Sequence, residues 1–126
     1  MQNIFGEKLR ALRLDAGLGL RELARHLDKS PGYISDVENG RINASTGLII
    51  IPSEAIIIKI SEILGVDKNE LLLAAKKVDP EITRYVAEER HAVDFLRKAK
   101  ESDWDLEKVL KLAEIANPSK ENKEIK

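Results

Sequence analysis

The chain has 126 residues, with Lys and Arg at 21 against Asp and Glu at 22, and it carries no cysteine. That length fits one ordinary domain or a small domain with an extension, and the missing cysteine excludes a disulfide framework, a thiolate metal site and a cysteine nucleophile. Near-neutral charge gives no general pull toward nucleic acid, so any such function must rest on where the charges stand.

The only histidines, His26 and His91, are too far apart for a paired-histidine zinc motif, and no metal or other cofactor is expected. The N-terminus (MQNIFGEKLR) lacks a basic-then-apolar signal pattern, which predicts a cytoplasmic protein. The greasiest stretch, Leu48 to Leu64, is broken by Pro52, Glu54, Lys59 and Glu62, so no membrane span is expected.

In chain order the elements read as helices. Ile4, Phe5, Leu9 and Leu12 recur at helical spacing, with Asn3 as N-cap and Gly17 as stop. Leu20, Leu23, Ala24 and Leu27 form a second, short stripe. Asp28-Lys29-Ser30 connects it to a third helix, with Ser30 as N-cap, Pro31 at the first helical position and Gly40 at the end. Residues 41–51 then place turn formers before an apolar, β-branched run, either a strand or an extended loop held on a core. Left bare, Leu48 to Ile51 would be an edge-pairing hazard, so C-terminal helices or a second subunit should cover it. A fourth helix restarts at Pro52-Ser53-Glu54 and closes at Gly65. Asp67 and Glu70 read as a capping box opening a fifth, through Lys77. Asp79-Pro80 starts another; Val93, Phe95, Leu96 and Ala99 mark the next. Ser102 or Asp103 caps a last one with Leu106, Val109 and Leu110, where Trp104 serves as core anchor or interface. Residues 117–126 are polar and read as a disordered tail.

The informative segment is 20–39. Two helices this short bury little alone, so a shared core of Leu23, Ala24, Leu27, Ile34 and Val37 must fix their spacing. With Ile34 and Val37 turned inward, Gly32, Tyr33, Ser35, Asp36 and Asn39 remain outward, a compact polar set suited to a major groove about 12 Å wide. The second helix would then lie across the phosphates with its positive N-terminal end and Arg21.

Over residues 3–77 the chain resembles the Cro/phage-repressor (Xre) type of helix-turn-helix DNA-binding domain. The resemblance rests on Arg10, Leu12 and Arg13, on Leu20-Arg21-Glu22-Leu23-Ala24, on Ser30, Tyr33-Ile34-Ser35 and Val37-Glu38-Asn39-Gly40-Arg41, and on Ile63-Leu64-Gly65-Val66-Asp67. It implies a five-helix lambda-repressor-like domain over 1–77; no diagnostic motif is matched beyond it, and in this all-α chain residues 78–116 would then be a small helical extension serving dimerisation or regulation. It further implies a partly buried salt bridge between Arg10 and Glu38, DNA approach by Ser30, Gly32, Tyr33, Ser35, Asp36 and Asn39, and a phosphate contact from Arg41. Arg21 and Lys29 are candidate phosphate contacts or solvated side chains. Asp36 either accepts from a cytosine amino group or is merely solvated, and Tyr33 either touches a phosphate or packs on a thymine methyl. There are departures: Leu20 stands for a common glutamine, Gly19 for the hydroxyl N-cap, Asp28 for the turn glycine, and Gly32 where a base-reading side chain often sits.

The expected function is a sequence-specific transcriptional regulator of double-stranded DNA, a repressor acting as a homodimer on a near-palindromic operator, because one module contacts too few base pairs. The alternative is an antitoxin-like or protease-controlled regulator whose C-terminal helices hold a protein partner. No phosphate loop, His-bearing triad or metal-ligand spacing points to an enzyme.

Overall fold

The structure is a computed structural model and describes residues 3–118. Among them are eight helices: α1 (Ile4–Asp15), α2 (Leu20–His26), α3 (Pro31–Glu38), α4 (Glu54–Leu64), α5 (Lys68–Ala74), α6 (Pro80–Glu88), α7 (Arg90–Glu101) and α8 (Leu106–Ala116). The chain is all-α, apart from one antiparallel bridge between Ile42 and Ile49. It divides after Thr83 into two compact units.

The first unit is built on one apolar core. Phe5 and Leu9 of α1, Leu23 of α2, Ile34 and Val37 of α3, Ile57 and Ile60 of α4, and Leu71 and Leu72 of α5 are all buried in it. Each such side chain contributes roughly 1.5–3 kcal/mol of transfer free energy, enough to hold helices too short to form alone. Ser53 caps α4 by accepting from the Ile56 N–H, and Gly65, at φ 70°, ends it in the left-handed conformation that favours glycine.

Three local expectations fail for identifiable reasons. Asn3 makes no cap bond to α1, because its Nδ2 donates to the Glu38 carbonyl of α3 at 2.7 Å. The capping box does not close: Asp67 accepts from the Asn69 N–H, but the Glu70 carboxylate pairs with Lys8 at 3.0 Å and ties α5 to α1. The fifth helix also stops at Ala74, short of Lys77, where Lys76 turns left-handed at φ 57°.

Residues 41–50 form a small hairpin. Asn43 donates to the Leu48 carbonyl at 2.8 Å and Ile50 to that of Arg41 at 2.9 Å. Its tip is braced by the Asn43 carboxamide, which accepts from the Ser45 and Thr46 amides. Ile50 packs against the core, whereas Leu48 stays 62% exposed. The first unit therefore covers the apolar run only in part. A groove of about 560 Å³ beside it is lined by Ile4, Phe5, Leu48, Ile49, Ile51 and neighbouring residues.

Asp79 explains why the division falls after Thr83 and not after Lys77. It is buried, accepts from the Glu81 N–H at 3.0 Å, and pairs with Lys68 at 2.5 Å, so the start of α6 is fastened to α5. The Lys68 hydrogen bond, aided by the Glu81 amide, holds the Asp79 carboxyl below its ordinary range. A carboxyl depressed in the folded state stabilises the fold above its unfolded pKa of about 3.9, and that contribution is lost as pH falls through the folded value. Asp79→Asn is therefore expected to lower the urea midpoint at pH 7, and the two proteins should converge in acid. A constant gap between their midpoints down to pH 2 would contradict this.

In the second unit, α7 and α8 are joined by a turn in which Asp103 is left-handed at φ 50°. Asp105, beyond the expected Ser102 or Asp103, caps α8 by accepting from the Glu107 and Lys108 amides. Trp104 packs edge-on against Phe95 with ring centroids 5.5 Å apart, yet it remains 37% exposed, so it anchors the hairpin only partly. Ala99 is the one buried apolar residue described in this unit. The expected tail, 117–126, lies mostly outside the described residues.

Candidate nucleic-acid interface

The candidate interface is the α2–turn–α3 segment, and each end of it is set by local chemistry. Helix α2 closes with the Lys29 N–H bonded to the Ala24 carbonyl at 2.9 Å, around Asp28 at φ 58°. This is a Schellman ending in which Asp28 takes the place glycine usually fills. Ser30 follows at once in extended geometry and accepts from the Tyr33 N–H at 3.1 Å, with Pro31 at the first helical position. Two turns later Gly40, at φ 66°, ends α3, with the Arg41 N–H bonded to the Asp36 carbonyl at 2.9 Å. The α2–α3 turn is short because the Asp28 ending runs directly into the Ser30 cap.

Burial divides the faces as the spacing predicts. Leu23, Ala24, Leu27, Ile34 and Val37 are buried, while Ser30, Gly32 and Asn39 are exposed and Tyr33, Ser35 and Asp36 half-buried. Ser35 and Asn39 stand one helical turn apart, with Asn39 Nδ2 donating to Ser35 Oγ at 3.2 Å. Lys29 lies over the Tyr33 ring at 5.6 Å from its centroid, a cation–π contact that holds both at the entry to α3. Partial burial pushes the Tyr33 hydroxyl pKa upward, so it stays a neutral donor and acceptor. Arg21 is exposed in the first turn of α2. Arg41 forms an ion pair with Asp36 at 2.9 Å, so these two are not the independent contacts the sequence suggests.

The salt bridge under the interface has a different partner from the expected one. Arg13, not Arg10, holds Glu38: Nε donates to Oε2 at 2.6 Å and Nη2 to Oε1 at 2.9 Å, while Nη1 donates to the Leu18 carbonyl at 2.8 Å. Both side chains are buried, and Arg10 is exposed. The signal was the phase of α1. Arg13 stands four residues after buried Leu9, on the same stripe, whereas Arg10 is one residue on and so about 100° around the helix. The hydrogen bond to Glu38 raises the Arg13 pKa further, so the guanidinium is charged throughout.

Gly6 is a second structural residue that sequence reasoning missed. The α3 carbonyls of Val37 and Glu38 lie so near its Cα that a Cβ there would stand 2.3 and 2.7 Å from them. Asn3, Gly6 and Arg13 thus hold the C-terminal end of α3 on α1 at three successive points.

The model of a family described as "Helix-turn-helix domain" matches residues 4–74, covering α1 to α5. The chain belongs to the helix-turn-helix domain family. Its domain is of the Xre/Cro type, a DNA-binding module by family. No curated protein matches the chain. Among solved structures it is similar to two crystal structures of the clp gene regulator ClgR from Corynebacterium glutamicum. One is 32% identical over 59% of this chain and 86% of that one, with a TM-score of 0.46. The other is 25% identical over 93% and 94%, with a TM-score of 0.48. The family assignment rests on the match over 4–74, and it is an assignment to a binding module, not to a catalyst. Among the described residues no cluster of His, Cys, Asp and Glu could hold a metal ion, and no helix is long and apolar enough to cross a membrane.

Proposed function

We propose that the chain is a sequence-specific transcriptional regulator, a repressor that occupies a near-palindromic DNA operator as a homodimer. The observation that carries this is the outward face of α3: a short, polar, capped helix fixed at both ends above a buried salt bridge. That outer face is free to enter a major groove. The helix-turn-helix family match over α1 to α5 supports the DNA-binding role. In this reading Ser30, Gly32, Tyr33, Ser35 and Asn39 meet the groove, and Arg21 and Lys29 meet phosphates. The lambda-repressor-like five-helix domain binds DNA, and the helices beyond it pair the subunits. Selection of bound sites from random duplex DNA tests it; a chain that enriches no sequence would refute it.

Arg21 gives a separable check. Arg21→Ala should weaken all sequences alike and lower the salt slope of binding by about one. An unchanged slope removes Arg21 from the phosphate contacts.

The homodimer reading is supported by apolar surface on the second unit. Phe95, Leu96, Leu106, Leu110, Leu112 and Ile115 are exposed there, more than a monomer usually leaves bare. A unit this small usually needs a partner to be stable. Paired recognition helices should then stand about 34 Å apart, one duplex turn. Sedimentation of the full chain should give a dimer mass at the concentrations where DNA is bound; a monomer there would sink the proposal. The same bare face favours a second reading, in which these helices hold a different protein and couple operator binding to its supply. A stable full-chain dimer that buries the face would count against it.

A further inference from the structure

The ion pair between Asp36 and Arg41 carries a specificity assignment that rests on the DNA-binding reading above. Arg41 follows the glycine that ends α3, and its N–H returns to the Asp36 carbonyl, so its backbone is locked against the helix's last turn. Its Nε then lies 2.9 Å from Asp36 Oδ1, with the arginine side chain 66% and the aspartate 39% exposed. The pair sits on the outer face that also carries Ser35 and Asn39, away from the core. The guanidinium atom nearest the carboxylate is Nε.

We infer that Arg41 reads a guanine and that Asp36 is the positioning residue that aims it. Guanine offers two acceptors, O6 and N7, side by side in the major groove, and the planar fork of arginine matches them with two parallel donors. A phosphate can be met by a charge on a loose stem, but a bidentate base contact needs the fork oriented in advance. The Asp36 carboxylate supplies that orientation. An aspartate on a groove-facing helix would otherwise bring a bare negative charge toward the phosphates. Paired with Arg41 it is neutralised, and the arginine side chain stays 66% exposed and open to a base.

The test is site selection from random duplex DNA with the full chain and three variants: Arg41→Lys, Asp36→Asn and the double change. All three alter side chains that lie outside the core, and circular dichroism should show them folded like the parent. The parent should enrich guanine at one symmetric position of each half-site. Arg41→Lys keeps the charge and loses the fork, so guanine preference there should fall about ten- to a hundredfold with an unchanged salt slope. Asp36→Asn should relax the same position to a smaller degree, and the double variant should be no worse than Arg41→Lys alone. The assignment is overturned if Arg41→Lys leaves every base preference intact. It is equally overturned if Asp36→Asn changes a different position from Arg41→Lys, since Asp36 would then be reading a base itself. A parent chain that binds duplex DNA without enriching guanine opposite this pair overturns it while sparing the DNA-binding reading. A parent that binds no duplex removes both.

Discussion

Arg13→Ala is expected to destabilise the helix-turn-helix unit by about 3–5 kcal/mol, because it strands the Glu38 carboxylate in the core with no partner. The side chains of Arg13 and Glu38 are 7% and 4% exposed, so water cannot take over the lost contacts. Two hydrogen bonds to Glu38 and one to the Leu18 carbonyl go together. A domain of this size has about 5–15 kcal/mol in all, so the loss leaves a substantial unfolded fraction. Arg10→Ala, on the exposed side of the same helix, should stay within about 0.5 kcal/mol of the parent. An apolar pair, Arg13→Met with Glu38→Leu, should recover most of the loss, since the penalty lies in the unpaired charge. Urea unfolding followed through amide exchange at Leu9 and Ile34 measures all three in the first unit. Arg13→Ala as stable as the parent would remove the buried bridge from the account.

Where a signal is local, the residues announce the structure. Ser30 with Pro31 marks the start of α3 and Gly40 its end. Each is decided within about one helical turn, by caps and φ angles that the side chains themselves favour. The inward positions Ile34 and Val37 follow from helical spacing alone. Together they made the outer face of α3 legible before any packing was known.

What the sequence hides is choice among long-range partners. Asn3 and Glu70 both have an attractive local role, and each is diverted across the fold: Asn3 to the Glu38 carbonyl, Glu70 to Lys8. Two arginines one turn apart in α1 look equally able to reach Glu38, and only the phase of the buried stripe separates them. The pairing of Arg41 with Asp36 is likewise invisible along the chain, because it depends on the reversal at Gly40. In the second unit the helices were legible from their apolar stripes, but the cap moved to Asp105 because α8 begins only after the Asp103 turn. Lys68, reaching Asp79, moved the boundary between the units in the same way.

Gly6→Ala should have the opposite sign to what helix propensity alone dictates. Glycine within a helix costs about 1 kcal/mol relative to alanine, so an alanine in the first turn of α1 ought to stabilise. Here the added methyl would stand 2.3 Å from the Val37 carbonyl oxygen and 2.7 Å from that of Glu38, both backbone atoms of α3. No rotamer change can relieve a clash with backbone, so α1 and the end of α3 must separate. Overpacking of this kind typically costs 1–3 kcal/mol, occasionally more, and it outweighs the propensity gain. The strain also falls beside Asn3, whose Nδ2 bonds the same Glu38 carbonyl, and beside the Arg13–Glu38 bridge. The expected result is a net loss of up to about 2 kcal/mol, with DNA affinity falling further than the unfolded fraction explains, because α3 is displaced in the folded protein. Amide exchange at Leu9 and Ile34 together with binding to the selected operator separates the two effects. An alanine variant more stable than the parent, binding with equal affinity, would show that α1 and α3 do not meet at Gly6.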